Sequence, residues 1–539
     1  MKHLYIVVNL FLLSLTVQAQ SEKDFIEAGD KFMLIRDYKN AIEFYNSALN
    51  INPNNAEVYH YLGLAKFQLE EYNESIKDFT KEISLNPKAA LGYTRRGMSL
   101  YALEKYSLAV DDLIKATKLD STNYMAFEYK AYCNAYLGKY NLAINDLTQA
   151  LKFNPDSDYY YYRGVYYLEL ENYKSAVEDA SNNLKYNAKS IKGYNLRSRA
   201  FYAQSNYKKA IADCDSALII DQENVDIYII RGKCNEKLKN YQNALNDFTH
   251  LIEFWPDSSK YYDLRGGCFN KMNRHQLAIE DYNKSIILGS TDPDTYNNRG
   301  LVYIDLKKYD MALIDFNKAI SLDSSFYLGY HNRGYINSNY KKYNLAIIDF
   351  NTAIKLNSSY ANSYFERGYA YSKVKNYEKS MADFTTSIKL QPDYFSYYNR
   401  GCVKSELKNY KGAIDDYTKA IKLCPDSVDA YYNRGCAKQI LDDQYGAILD
   451  YNKAIELNPY MDQAYNNRGS AKMKLNQIES AFVDIQKSID LNPTDGTAYY
   501  NRGLLKINKM DNPGACADFK KSIELGEKKA IIDYNKYCK

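Results

Sequence analysis

The sequence predicts an all-α protein: an α-solenoid of tandem helix-turn-helix hairpins closed by a C-terminal capping helix. Three observations carry this. A Tyr-x-x-Arg-Gly signature returns at intervals of 34 residues, each interval holds two apolar patterns of helical period, and eight of the ten prolines stand between intervals.

Residues 1–20, MKHLYIVVNLFLLSLTVQAQ, place Lys2 and His3 before an apolar run from Leu4 to Val17, with Ala19 at a cleavage position. This reads as a secretory signal peptide spanning 1–19. The run, interrupted by Asn9, is shorter than the roughly 20 residues needed to cross a bilayer. No later segment is apolar enough to span a membrane, so an exported protein is expected, with a bacterial periplasm or the cell exterior as its place.

The array follows over 22–529. Its glycines run from Gly63 and Gly97 through Gly300, Gly334 and Gly368 to Gly503, with Ala131 and Ser198 filling two places and Gly29 extending the series backwards, which makes fifteen units. Within a unit such as Tyr296–Asp323 two apolar stripes flank a short polar turn, the mark of a helical hairpin. Between units stand Pro53, Pro87, Pro155, Pro256, Pro392, Pro425, Pro459 and Pro493. Proline lacks an N–H and clashes with the preceding turn, so each ends a helix. The last stretch, 530–539, begins AIIDYNKYCK and reads as one further first helix, a cap.

Composition narrows the function classes. Seventy basic residues against 66 acidic ones leave a net charge of +4 with the signs interspersed, which is not the basic stripe of a nucleic-acid binder. Five histidines at unrelated places, and no Gly-rich phosphate loop, nucleophile elbow or Cys-x-x-Cys, leave no visible catalytic, cofactor or metal constellation. The nine cysteines are too scattered for a disulfide framework and are expected to be mostly free, buried thiols.

The chain resembles the tetratricopeptide repeat (TPR) family over essentially all of 22–529. Counting from the first residue of each unit, the family's aromatic at position 4 is Tyr59, Tyr93, Phe127 and onward to Tyr499; its small residue at position 8 is the glycine series. Its small residue at position 20 is Ala41, Ala109, Ala143 and onward to Ala515, with Ser75 and Ser380 as departures. The resemblance implies a right-handed superhelix that recognises protein or peptide partners and is not an enzyme.

Position 7, apolar in the family, is Arg in twelve units (Arg96, Arg163, Arg299, Arg333 and others), and position 23 is Asp from Asp78 to Asp518. A repeated ion pair is the expected meaning. Asp78 has only Leu62 at position 7 of its own unit, so the sequence favours pairing each Asp with the Arg of the next unit, as Asp78–Arg96 and Asp315–Arg333.

In the family, positions 2, 5, 6, 9, 12 and 13 of the first helices line the concave face. Position 6 from unit nine onward is Asn298, Asn332, Asn399, Asn433, Asn467 and Asn501, broken only by Glu366. A primary amide can both donate to and accept from a peptide bond. These asparagines, with Tyr335, Tyr369, Tyr398, Tyr432 and Tyr500 beside them, are the candidate peptide-binding residues; a consensus merely copied by duplication is the alternative. Two roles follow: a scaffold that holds extended peptides or partner helices in the groove, or an assembly factor of a larger envelope complex acting through convex or edge surfaces.

Overall fold

The computed structural model describes residues 21–538, and the signal-peptide expectation lies outside them. Among the described residues the chain forms 31 α-helices and no strand. They divide into two compact units, one ending at Met272 and one beginning at Asn273. The first holds seven hairpins followed by the helix Ser259–Lys271; the second opens with the helix His275–Ile287 and continues through seven hairpins to a terminal helix, Ala530–Tyr537.

Each repeat has a first helix of 13 residues and a second of 14, as in Pro293–Asp305 and Tyr309–Leu322 of repeat nine, except that His275–Ile287 and Asn512–Glu524 have 13. The start is set by an N-cap: the Asp292 carboxylate accepts from the Asp294 N–H, and Pro293 occupies the first turn, where its missing N–H costs nothing. The end is set by a left-handed residue. Lys307 has φ +58°, its N–H donates to Ile304 O, and the next N–H, of Lys308, reaches back to Tyr303 O at 2.7 Å. This closes the orphan carbonyls of the last turn. The same left-handed place recurs along the chain at Glu70, Lys341, Lys375 and Asp442.

The hairpin closes because its tightest crossing carries no side chain. A Cβ on Gly334 would lie 2.8 Å from Cε1 of Phe350, a ring that is wholly buried on the second helix. Burying such a ring contributes about 2–3 kcal/mol. Ala312 and Ala346, at position 20, are likewise fully buried. Each second helix also packs on the first helix of the following hairpin within its unit, so stability accumulates between neighbours.

The Arg–Asp pairing differs from the sequence expectation. Arg299 donates through Nε and Nη2 to Asp315 of its own repeat, at 2.9 and 2.6 Å, and Arg333 likewise forks on Asp349. Arg96 takes Asp112 and not Asp78. A separation of 16 residues across the turn sets the two groups face to face within one hairpin. The apolar position 7 of this repeat has a local solution: Asp78, opposite Leu62, is met by Lys66 at 2.7 Å, one helical turn further along. Asp518 is met by Arg502 and Lys506, so Lys536 of the terminal helix takes no part and lies over the Tyr537 ring. What does cross between repeats is the third guanidinium nitrogen. Nη1 of Arg299 donates to Asn283 Oδ1, and Nη1 of Arg333 to Asn317 Oδ1, on the preceding second helix.

The terminal helix covers the last hairpin with Ala530 buried against Ala515 and Phe519. Tyr500 Oη donates to Asp533 at 2.8 Å. Cys516 and Cys538 are joined in a disulfide, with Cα atoms 5.6 Å apart. The expectation of mostly free thiols holds for seven cysteines, Cys133 to Cys436, and is corrected at this pair. The chain folds back over 22 residues to bring the two together, a return that spacing along the repeat does not reveal.

Candidate peptide-binding groove

The position-6 asparagines are spent largely on the scaffold. Nδ2 of Asn332 donates to Asn297 Oδ1 at 2.7 Å, Asn433 to Tyr398 Oη at 2.9 Å, Asn467 to Tyr432 Oη at 3.1 Å, and Asn501 to Asn466 Oδ1 at 2.9 Å. In each case position 6 of one repeat reaches position 5 of the repeat before. The rule needs a polar acceptor at position 5, and repeat eleven has Phe365 there. Asn399 accordingly turns back and donates to Phe395 O of its own helix. Repeat eleven itself carries Glu366 in place of Asn. The ladder is therefore closed between repeats nine and ten and from twelve to fifteen, and open from ten to twelve.

A groove lies at the break. One hollow of 530 Å3 is lined by Leu301, Ile304, Asn332, Glu366 and Asp393 among others, and a second of 460 Å3 by Asn339, Lys341, Tyr369 and Asn399. Tyr335, Phe365, Glu366 and Phe395 line both, so the two form one continuous trough along the first helices of repeats nine to twelve. Phe395 stands out from its helix with 62% of its surface exposed.

The electrostatics are uneven. Burial pushes the Glu366 carboxyl up to about 7. Among the described residues no donor or cation lies within hydrogen-bonding or ion-pairing distance of it. His331, beside it in the first hollow, is buried against Ser363 Oγ at 3.1 Å, and burial lowers it to about 4, so its imidazole is neutral. Asp393 is the N-cap of its helix and accepts from the N–H and Oγ of Ser396. Lys341 stands at the far end.

The structure thus distributes the sequence candidates unequally. Asn332, Tyr335, Tyr369 and Asn399 share the trough. Tyr398 and Tyr432 serve as hydrogen-bond acceptors within the ladder, Tyr500 holds the terminal helix, and Asn433, Asn467 and Asn501 bind the preceding repeat. Asn298 is half-buried and joins neither group. Phe365, Glu366 and Phe395 were not singled out as binding residues from the sequence. Their signal was available as the one departure from Asn at position 6 and the one Phe at position 5 beside it. A separate hollow of 430 Å3 in the first unit is walled by tyrosines, including Tyr101, Tyr132, Tyr136, Tyr162 and Tyr166.

Among the described residues no group of three or more His, Cys, Asp or Glu side chains could hold a metal ion, and no helix is long and apolar enough to cross a membrane.

Family models described as tetratricopeptide repeat match residues 56–88, 134–182, 293–326, 328–360, 361–394, 428–460 and 462–495. One described as TPR repeat matches 29–70 and 401–439, and together they cover more than half of the chain. No curated protein matches. Among solved structures the chain is similar to YrrB, described as a TPR protein with an unusual peptide-binding site, at 22% identity over 34% of this chain and 95% of that one, with a TM-score of 0.33. It is similar to the APC/C hetero-tetramer Cut9–Hcn1 at 15% identity over 92% and 98%, with a TM-score of 0.39. A tetratricopeptide repeat protein from Parabacteroides merdae matches at 21% identity over 45% and 96%, with a TM-score of 0.34.

Proposed function

Since this chain belongs to the tetratricopeptide repeat family, we propose that it is an exported interaction scaffold whose second unit holds an extended polypeptide in the trough along repeats nine to twelve. The observation that carries this reading is the coincidence of the trough with the break in the asparagine ladder. Where the amides are not consumed by neighbouring repeats, Asn399 and the carbonyl of Asn332 border a surface of aromatic rings. Rings supply contact area at low entropic cost, and amides hold the backbone of a peptide irrespective of its side chains. Recognition without turnover is the mechanism. Export is supported by the leader-like residues 1–19 and by the Cys516–Cys538 disulfide, a bond that persists in oxidising compartments.

A second reading, assembly through the outer surface, is favoured by one observation. On the second helices of repeats nine and ten, Met311, Ile314, Leu345 and Ile348 form an exposed apolar patch. Affinity capture from native envelope extract separates the two. Baits carrying Tyr369→Ala with Phe395→Ala lose the partner if the trough binds it; baits carrying Ile314→Asp with Ile348→Asp lose it if the outer patch does. Retention by the trough variant overturns the first reading.

A further inference from the structure

Glu366 is the unusual group in the trough. It replaces asparagine in a series of asparagines, it takes no part in the inter-repeat ladder, and it sits half-buried where both hollows meet. The trough it lines holds four rings, Tyr335, Phe365, Tyr369 and Phe395, beside amides such as Asn332 and Asn399, and among the described residues none of these supplies it with a hydrogen bond or a compensating charge. A carboxylate withdrawn from water without a partner is costly unless a cation arrives to compensate it. Aromatic faces also attract cations, by about 0.5–2 kcal/mol per ring depending on desolvation. A carboxylate walled by rings is therefore complementary to one class of side chain.

Charge along the trough agrees. The first hollow is lined by two carboxyl groups, Glu366 and Asp393, and by no lysine or arginine; its one imidazole, His331, is neutral. In the second hollow Lys341 is among the lining residues, and the Lys373 ammonium already lies over the Tyr369 ring at 4.8 Å, so the rings open to an incoming cation are those of Tyr335, Phe365 and Phe395.

We propose that the trough contains a specificity pocket for a basic side chain, lysine or arginine, carried by an extended peptide, with Glu366 as its counter-ion and Tyr335, Phe365, Tyr369 and Phe395 as its walls. This rests on the trough being the binding surface. It adds to that reading which residue of the partner selects the site. The side-chain carbonyls of Asn332 and Asn399, whose Nδ2 groups are held by Asn297 and Phe395 O, are left to accept from the peptide backbone, and arginine suits the pocket especially, since its flat guanidinium can stack on a ring while donating to the carboxylate.

The test uses the full chain and a displayed library of random twelve-residue peptides. Selection on the unmutated protein is expected to enrich peptides with Lys or Arg at one fixed place. Selection on Glu366→Gln, which keeps the shape, is expected to lose that enrichment. A selected peptide and its Arg→citrulline counterpart should then differ at least tenfold in Kd on the unmutated protein and less than twofold on Glu366→Gln. Phe395→Ala, which leaves the carboxylate in place, should weaken both peptides. Enrichment without a basic residue, or a tenfold preference that survives Glu366→Gln, overturns the pocket and leaves the trough standing. If no peptide is enriched over a Tyr369→Ala, Phe395→Ala variant, which lacks two of the trough's walls, both readings fall together.

Discussion

Arg299 and Asp315 form a two-pronged ion pair inside one hairpin, with Nε and Nη2 on separate carboxylate oxygens at 2.9 and 2.6 Å. Asp315 is 2% exposed, and burial pushes its carboxyl upward while the guanidinium pulls it back. Removing one partner strands the other, so Arg299→Ala should cost about 3–5 kcal/mol. A double-mutant cycle reads the pairing directly. Arg299 and Asp315 should couple by about 1.5–3 kcal/mol; Arg333 and Asp315, the pair expected from sequence, should show coupling below about 0.5 kcal/mol. Chemical denaturation followed by hydrogen exchange in repeats nine and ten provides the energies.

Gly334 tests the crossing of the two helices. Adding one methyl places it 2.8 Å from the buried Phe350 ring, with neighbouring helices that cannot separate without opening the repeat. Gly334→Ala should therefore destabilise repeat ten by about 1–3 kcal/mol, despite alanine being the better helix former. Combining it with Phe350→Leu should recover part of the loss, which thermal melts of the single and double variants would show.

Glu366 sets a pH dependence in the opposite direction from a salt-bridged acid. Its carboxyl is held near 7 against an ordinary 4.5, so between those values the folded chain keeps a proton that the unfolded chain has shed. Stability contributed here is present below pH of about 4.5 and is lost as pH rises through about 7. The groups lining the same trough do not reverse this: His331 stays neutral above about 4, and neither Asp393 nor Lys341 pairs with Glu366. Glu366→Gln should be more stable than the unmutated chain at pH 8 by on the order of 1–2 kcal/mol and nearly equal to it at pH 4.5. Hydrogen exchange in repeat eleven at the two pH values is the measurement, because repeat arrays open in segments.

The disulfide should act locally. It closes a 22-residue separation and fastens the terminal helix to the fifteenth repeat. Loop closure of that size is worth about 3 kcal/mol. Cys516→Ser should therefore release Ala530–Tyr537, seen as faster amide exchange there, and leave repeats nine to twelve unchanged. Peptide mapping without reductant should recover Cys516 and Cys538 as one linked pair; recovery as two free peptides would remove the basis of this prediction.

Most of the scaffold was readable in the sequence because its causes are local and repeated. Gly334 and Ala346 mark where backbones must approach, and prolines such as Pro392 and Pro459 mark where one repeat ends. The small residues return at intervals of 33 or 34 residues, so periodicity alone exposes them. The partner of each Arg was not readable. Two aspartates, one in the same repeat and one in the repeat before, satisfy the same periodicity, and only the distance across the hairpin turn chooses between them. The candidate site was partly legible: Asn332, Tyr335, Tyr369 and Asn399 stand in the trough, while Asn433, Asn467 and Asn501, like the Nδ2 group of Asn332, are occupied by neighbouring repeats. The sequence by itself determined the hairpin, its length and its small-residue contacts, since these depend on neighbours along the chain. Tertiary structure alone decided which amides are consumed and which side chain is left unpaired at Glu366, because hydrogen bonds between repeats depend on what the adjoining helix offers at position 5.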